Sequence, residues 1–489
     1  MNERLEPAKR NRPRATRVLG ALCLIVVTLS LALGAYHKLK PMPPGTDFQG
    51  TLRPATNVTF LADTSWIDQA GDRQVEQTIF DEVLRIIDQA TDFVLLDMFL
   101  FNDFQGEIPE LTRPLSEEIT SALIRQRDRH PTLNVVVITD PVNELYGGME
   151  SHYLARLREA GIRVVTTDLN RLRDSNPLYS GFWRLLVKPF GNTRAETVAN
   201  PLGPGRVSLR SYLKLLNFKA NHRKVIAADL GDSAVALVSS ANPHDGSSAH
   251  RNAAIRFTGP AVADLVTTEN AVLRLSGAPQ IELDLAALQA PATPGSASVQ
   301  VVTERKIKRA ILNMLSQAAA GDRVQLMMFY LADRDVVAAL LDAHRRAVDV
   351  RVLLDPNRDA FGREKNGIPN RQSAHELAKA GIPVRWCSTA GEQCHAKLLL
   401  LDHAQGSTLL SGSANFTRRN LSNYNLETDV VVRGGQTLPV FTAVRAQFEL
   451  EWGNADGRRF SLPYEQFADP SLWRRGLYRV MEWSGLSTF

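Results

Sequence analysis

Apolar positions along the chain form strand-length runs that alternate with helical segments. Residues 93–101 (FVLLDMFLF) and 324–331 (VQLMMFYL) are apolar runs with aromatic residues near their ends, which is typical of strands buried on both faces. After a helical segment, a second apolar strand follows at 133–140 and at 348–355, and in both cases its last residue is an Asp that precedes Pro. The order strand, helix, strand is therefore repeated.

The repetition continues beyond these strands. Each copy next has a helical segment that ends in Ala-Gly-Ile, at 160–162 and at 380–382, and then a further strand; glycine commonly ends a helix. Strands that alternate with helices predict an α/β fold, with a mostly parallel sheet covered by helices on both faces. We therefore predict two similar half-domains of this kind.

Composition shifts divide the chain into segments. The predicted segments are a basic arm (1–17), an apolar helix (18–36), a linker (37–55), a first half-domain (56–285) with an insertion at about 166–220, a second linker rich in Ala, Pro, Gly and Ser (286–298), a second half-domain (299–458) and an amphipathic tail (459–489). The insertion and the tail interleave aromatic residues and leucines with lysine and arginine. This pattern suits either a segment that lies in a membrane interface or an ordinary helical cover with buried aromatics.

The apolar helix near the N-terminus predicts a membrane location. Residues 18–36 form a charge-free run of 19 residues, long enough at helical rise to cross a bilayer. The positive-inside rule keeps the basic arm before it in the cytoplasm. We predict a single-pass anchor in a bacterial inner membrane, with the folded domain on the periplasmic side. The alternative is a cleavable signal peptide that ends near Ala32–Gly34, which would also export the folded domain.

Two stretches share one pattern of polar residues. In each, one residue separates His from Lys, four separate Lys from Asp, and twelve separate Asp from Asn, and Ser-Ala directly precedes the Asn. A single His-x-Lys pair arises by chance in long chains, whereas two copies of the longer pattern are very unlikely to do so. The copies are His222, Lys224, Asp229, Ser240 and Asn242, and His395, Lys397, Asp402, Ser413 and Asn415.

These residue types suit phosphodiester chemistry. One imidazole can attack phosphorus and form a covalent phospho-histidine, while the second gives a proton to the leaving oxygen and later takes one from an alcohol or water. Ammonium and amide groups can hold the non-bridging oxygens. Neither copy clusters metal ligands, so we predict catalysis without a cofactor. The predicted catalytic residues are His222, Lys224, Asp229, His395, Lys397 and Asp402, and the predicted phosphate-binding residues are Lys224, Asn242, Lys397 and Asn415.

The duplicated pattern resembles the His-x-Lys-x4-Asp motif of the phospholipase D superfamily, over about residues 80 to 455. The first copy is also similar to bacterial cardiolipin synthases, through Asn217–Lys224 (NFKANHRK) and Gly259–Val262 (GPAV). The resemblance implies one active site assembled from both halves, with His222 as the nucleophile. It also places Asn252 and Glu427 where an acid often supports the histidines. The predicted supporting residues are Ser240, Ser413, Asn252 and Glu427.

Composition and charge leave three functions to compare. The 489 residues carry a net charge of +5 and a pI near 9.1, which indicates an anionic partner, either an acidic lipid surface or nucleic acid. We predict a membrane-anchored phosphodiesterase or phosphatidyltransferase that acts on phospholipids at a membrane surface and has no obligate protein partner. The alternatives are an exported nuclease of the same superfamily, which would bind nucleic acid, and a catalytically silent binding protein, against which both intact motifs argue.

Two cysteines lie just before the second motif histidine. Cys387 and Cys394 precede His395, and in an oxidising compartment they would form a disulfide that stiffens the approach to that histidine. Two unrelated buried thiols are the other interpretation.

Overall fold

The computed structural model describes residues 12–106, 112–231, 233–282, 297–360, 363–487 and 489. Most of the predicted basic arm and of the predicted second linker therefore lies outside the described residues. The helices, in chain order, are α1 (Arg12–Leu39), α2 (Ile79–Gln89), α3 (Leu115–Arg129), α4 (His152–Glu159), α5 (Pro177–Leu186), α6 (Leu209–Leu215), α7 (Ala261–Leu275), α8 (Arg305–Gln317), α9 (Arg334–Arg345), α10 (Asn370–Lys379), α11 (Arg418–Leu421), α12 (Pro439–Gly453) and α13 (Leu472–Ser484).

The first half-domain is built on one mixed sheet. Its spatial order is β3 (Arg73–Glu76), β2 (Thr56–Ile67), β11 (Asn252–Thr258), β10 (Ser233–Ser239), β9 (Lys224–Leu230), β4 (Phe93–Met98), β5 (Asn134–Thr139) and β6 (Arg163–Thr166). The strands β4, β5 and β6 pair in parallel, and α3 and α4 connect them. The remaining neighbours pair antiparallel.

The second half-domain repeats this topology. Its sheet has the order β1 (Arg53–Pro54), β12 (Ser298–Thr303), β20 (Thr428–Gly434), β19 (Gly406–Gly412), β18 (Lys397–His403), β13 (Arg323–Met328), β14 (Asp349–Leu354), β17 (Val384–Cys387) and β21 (Ser461–Pro463). Here β13, β14 and β17 are the parallel neighbours. The predicted fold class, two similar α/β half-domains behind an N-terminal apolar helix, is confirmed.

The predicted mostly parallel pairing is wrong, because only three adjacent strands of each sheet pair in parallel. After each motif histidine the chain forms a tight hairpin, β9–β10 and β18–β19, whose strands must run antiparallel because the connections are too short for a crossover. Gly231 has a φ of 59° in the first of these turns, a left-handed conformation that glycine adopts without strain. The sheets are therefore mixed.

The two sheets face each other across a shared core. Alternate residues of a strand point to opposite faces: in β9, Val225 belongs to the core between the sheets and Ile226 to the core under α2, α3 and α4. In β18, Leu398 and Leu399 divide in the same way, with Leu399 under α8, α9 and α10. The helices α7 and α12 lie in the shared core, so the halves form one continuous body.

Most side chains of the N-terminal helix α1 are exposed rather than packed against this body. Its apolar part, Thr16–Leu39, is 24 residues long and contains an 18-residue stretch with a mean hydropathy of 2.5, so it is long and apolar enough to cross a membrane. Leucines along it are exposed, such as Leu24 at 67%. The predicted insertion, between β6 and β9, contains α5, α6 and a small hairpin of β7 (Val198–Ala199) and β8 (Arg206–Val207); a second small hairpin pairs β15 (Asp359–Ala360) with β16 (Arg363–Glu364).

Candidate active site

The topology brings both motif histidines to neighbouring sheet edges. His222 lies two residues before Lys224, the first residue of β9, and His395 lies two residues before Lys397, the first residue of β18. The edges meet because the chain at Asn221 bridges to Leu426 of the other half, and the chain at Cys394 bridges back to Arg251.

Each histidine is held by the opposite half-domain. The backbone N–H of His222 donates to the carbonyl of Leu426 at 2.8 Å, and its Nδ1 lies 2.9 Å from Oε2 of Glu427. The phenyl ring of Phe99 packs against its imidazole, with ring centroids 4.8 Å apart. Because Nδ1 is engaged by a carboxylate, Nε2 is the nitrogen left for chemistry.

The second histidine repeats this arrangement with one change. The backbone N–H of His395 donates to the carbonyl of Arg251 at 2.8 Å, and its Nδ1 lies 3.1 Å from Oδ1 of Asn252. Phe329 packs against this ring at 4.9 Å. An amide oxygen accepts a hydrogen bond but carries no charge, so His395 has a neutral support where His222 has an acidic one.

The two motif serines fix these supporting residues. The hydroxyl of Ser413 donates to Oε2 of Glu427 at 2.6 Å, and the hydroxyl of Ser240 donates to Oδ1 of Asn252 at 2.9 Å. Asn420 also donates to the Glu427 carboxylate. The four predicted supporting residues thus form two matching hydrogen-bonded pairs, one behind each imidazole.

The lysines occupy equivalent positions in the two halves. The Nζ of Lys224 donates to the carbonyl oxygen of His222 at 2.6 Å, and the Nζ of Lys397 donates to the carbonyl oxygen of His395 at the same distance. Each ammonium also lies over the neighbouring phenylalanine ring, at 5.1 Å and 5.3 Å from the centroids. Since an ammonium has three donors, each lysine retains donors for an anion.

Burial disfavours the charged forms of the side chains in the site. Burial, followed by the charges of Lys224 and Lys397, lowers the pKa of His222 well below its ordinary value. Burial and the charge of Lys397 lower the pKa of His395 in the same way. Burial also lowers the pKa of Lys224 to about 7 and raises the pKa of Glu427 to about 7. A bound phosphate anion would favour the charged form of both lysines.

The segments that carry the two motif asparagines lie at the sheet edges where the lysine strands begin. The hairpin registers pair Val225 with Val238 and Leu398 with Ser411, so the segments after β10 and β19 lie at the edge where β9 and β18 begin. Asn242 accepts a hydrogen bond from the backbone of Leu100 at 3.2 Å. The Oδ1 of Asn415 is buried and accepts no hydrogen bond within the part of the chain that the structure describes.

The two motif aspartates do not reach the site, contrary to our prediction. Asp229 and Asp402 lie five residues beyond the lysines, about 17 Å away along an extended strand. Asp229 accepts hydrogen bonds from the backbone of Thr91 and Phe93 at 2.9 and 2.8 Å. Asp402 accepts from Ser407 and from Arg445. A five-residue step spans most of the strand, so both aspartates anchor its far end and have a structural role.

Some site residues were missed in the sequence. The rings of Phe99 and Phe329 were treated only as ends of apolar runs, although a repeated Met-Phe pair, at 98–99 and 328–329, marked them. His250 is also buried beside the site, and its ring lies 5.8 Å from that of His395. Nothing in its spacing predicted this contact.

Cys387 and Cys394 form a disulfide in the structure, as one of the two interpretations of the sequence proposed. With Glu451 they form a group of potential metal ligands, but sulfurs joined to each other are not thiolate ligands. The disulfide closes the loop that leads directly into His395.

Removing this disulfide is expected to destabilise the protein. It closes a loop with a sequence separation of 7, and its loss in a Cys387→Ser, Cys394→Ser variant should lower the free energy of unfolding by about 2 to 3 kcal/mol. Denaturant unfolding measures this difference, with Cys23→Ser as the control because Cys23 is exposed on α1. Three reactive thiols in denatured, unreduced protein would contradict the disulfide.

Comparison with known proteins finds a similar domain and a similar fold. Residues 311–452 match the family model described as cardiolipin synthase, PLD-like domain. The phosphatidylserine synthase of Haemophilus influenzae Rd KW20 has a similar structure, with a TM-score of 0.55 and 10% identity over 90% of this chain and 96% of that chain. The phospholipase D family member Nuc from Salmonella typhimurium covers 32% of this chain and 95% of its own, at 24% identity and a TM-score of 0.27. A comparison with curated proteins found no match. The family match thus lies in the second half-domain, and the fold of the whole chain is similar to that of the phosphatidylserine synthase, in agreement with the resemblance that the motifs predicted.

Proposed function

We propose that the protein is a membrane-anchored phosphodiesterase or phosphatidyltransferase that acts on phospholipids through a covalent phospho-histidine. The observation that carries the proposal is the reciprocal support of the two imidazoles, His222 by Glu427 and His395 by Asn252. Both rings have Nδ1 engaged and Nε2 left for chemistry, at adjoining edges of two sheets. This arrangement suits two nitrogens that act on one phosphorus atom in turn.

The difference between the two supports favours His222 as the nucleophile. When Nε2 of His222 attacks, a P–N bond forms, the ring becomes positively charged, and the Glu427 carboxylate compensates that charge. The P–O bond to the departing alcohol breaks as His395 passes its proton to that oxygen. The neutral Asn252 holds this proton less tightly than a carboxylate would, which makes His395 the stronger acid.

The second step reverses the proton transfer. His395, now neutral, takes a proton from water or an alcohol whose oxygen forms a new P–O bond to phosphorus. The P–N bond to His222 breaks in the same step. Water gives phospholipid hydrolysis, and a lipid alcohol gives transfer of the phosphatidyl group. Lys224, Lys397, Asn242 and Asn415 would bind the non-bridging oxygens in both steps, since cations and amide donors stabilise the developing negative charge.

The N-terminal helix supports a bilayer as the place of this chemistry. The helix Thr16–Leu39, with its charge-free run at 18–36, is long enough to span a membrane. Its exposed leucines form an apolar surface that a bilayer would cover. With the basic arm held in the cytoplasm, the catalytic body would lie on the periplasmic side of a bacterial inner membrane.

Product analysis tests the proposed function. Full-length protein in detergent-mixed phospholipid vesicles should release a headgroup alcohol or form a transferred phosphatidyl product, while labelled single-stranded DNA should stay intact. EDTA should leave the rate unchanged, because the proposed charges come from side chains. A His403→Ala variant is the matched control, since His403 lies at the far end of β18. Cleavage of DNA with intact lipids would instead identify the nuclease alternative, and loss of rate in EDTA would refute metal-free catalysis.

A further inference from the structure

The anchor helix α1 and the insertion helix α5 touch backbone to backbone. A Cβ on Gly34 would overlap the carbonyl oxygen of Pro177, and a Cβ on Gly181 would overlap the carbonyl oxygen of Ser30. Ser30 is 1% exposed, although Leu29 and Leu31 beside it are about half exposed. Small residues spaced four apart, as in Ser30 and Gly34, are typical of helix pairs packed inside membranes.

This contact lies well inside the apolar part of α1. Ser30 precedes the last residue of the helix, Leu39, by nine positions, which is about 14 Å along the axis. If α1 crosses a bilayer, the segment of α5 in contact with Ser30 and Gly34 lies at the depth of the acyl chains of the outer leaflet, since half a hydrocarbon core is about 15 Å.

The exposed residues of α5 fit that environment. Leu178 and Leu186 are 53% and 49% exposed, and Phe190, just after the helix, is 69% exposed. Contact with acyl chains would be unfavourable for the charged side chain of Arg184 in α5. This side chain is buried and forms two hydrogen bonds with Asp174 at 2.7 and 2.8 Å. The apolar face of α5 is thus open, and its charge is paired internally.

The ends of α6 and α13 adjoin α5 at its N-terminus. Asn176 donates to the carbonyl of Leu216, just past α6, at 3.1 Å. Gly485, just past α13, lies so close to Ser175 that a Cβ there would overlap the carbonyl of that residue. Exposed apolar side chains continue onto both neighbours, among them Leu216, Trp483 and Leu486.

A buried ion group joins this region to the active site. Asp174 binds Lys219 at 2.7 Å as well as Arg184, and its backbone N–H donates to the carbonyl of His37 in α1 at 3.1 Å. Lys219 is three residues before His222. The same carboxylate therefore ties the anchor, α5 and the loop of the first motif histidine together.

We propose that α5 is embedded in the outer leaflet beside α1 and that, with the adjoining ends of α6 and α13, it docks the catalytic body on the acyl chains of the bilayer. This inference rests on the proposed function only for the membrane insertion of α1. Docking in this way holds the loop of His222 at the depth of the lipid phosphates, so the substrate reaches the site without leaving the membrane.

A depth measurement tests the proposal without using activity. In a Cys23→Ser background, Leu178→Cys and Phe190→Cys are each labelled with an environment-sensitive fluorophore, and the full-length protein is placed in nanodiscs of phosphatidylglycerol and phosphatidylethanolamine. Both labels should show blue-shifted emission, quenching by nitroxides on the acyl chains, and protection from aqueous iodide. Ser316→Cys on α8, an exposed position on the catalytic body, is the control that iodide should quench.

Free access of aqueous iodide to both labels would overturn the proposal. Labels at 178 and 190 that iodide quenches as fully as the label at 316, with no effect of the acyl-chain nitroxides, would place α5 in water. Because this readout does not depend on turnover, an enzyme that proves to act on another phosphodiester can still show an embedded α5, and an active lipid enzyme can still refute it.

Discussion

Replacing His222 or His395 with alanine is expected to abolish turnover of a phospholipid, with a loss of at least about 10⁴-fold in kcat for each variant. Each imidazole does a task that the other, fixed by its own support, does not take over. The loss should be equal in size for both, because the two steps use both rings. Steady-state rates with vesicle substrate measure it, and unchanged thermal unfolding shows that the fold is retained.

A substrate with a good leaving group separates the two roles. Nitrophenolate departs without protonation, so a nitrophenyl phosphodiester should give the His395→Ala variant a burst of about one equivalent of nitrophenol. Phosphorylated His222 should then accumulate and be detectable by mass spectrometry. The His222→Ala variant should give no burst. A burst from His222→Ala alone would exchange the assignments, and substantial lipid turnover by either variant would contradict a shared site.

Replacing Glu427 with glutamine is expected to lower kcat by about 10²- to 10³-fold, in line with losses seen when a group that orients a catalytic imidazole is changed. The shape is kept, but the charge that compensates the phosphorylated His222 is removed. Burial raises the pKa of Glu427 to about 7, so the carboxylate loses its charge as the pH falls through 7. The native rate should therefore fall on the acidic side, and that fall should be absent in Glu427→Gln.

The matched variant on the other side is Asn252→Asp. A carboxylate at this position, 3.1 Å from Nδ1 of His395 in the present structure, stabilises the imidazolium and raises the pKa of His395. The alkaline limb of the pH profile should then move to higher pH, while the maximal rate falls because His395 becomes a weaker acid. If the alkaline limb does not move, the proton whose loss lowers the rate at high pH is not on His395.

The sequence was sufficient to find the edges of the site, because the doubled spacing marks equivalent strands. It also marked Asn252 and Glu427 as supporting residues, but it did not show which histidine each of them supports. Each supports the histidine of the opposite half, a relation that depends on how the sheets face each other and leaves no local pattern. Asp229 and Asp402 were misassigned for a related reason. Two strands of equal length produce the same repeated spacing as two copies of a catalytic motif.

The antiparallel hairpins after the histidines were also not predicted, and the reason is physical. A strand buried on both faces is apolar whether its neighbours are parallel or antiparallel, so residues such as Val225 and Leu398 carry no sign of direction. The helix contact of Ser30 with Gly181 was likewise invisible, because small residues within an apolar run are unremarkable until a second helix is seen to cross them.

The exchange of support between the halves bears on how such a chain could arise. In a dimer of two identical halves, each copy could also support the histidine of the other. The same residue would then lie behind both imidazole rings. In this chain a glutamate lies behind His222 and an asparagine behind His395, because the two halves are separate stretches of one polypeptide and can differ in sequence. Having both halves in one polypeptide thus lets two equivalent imidazoles have different supports.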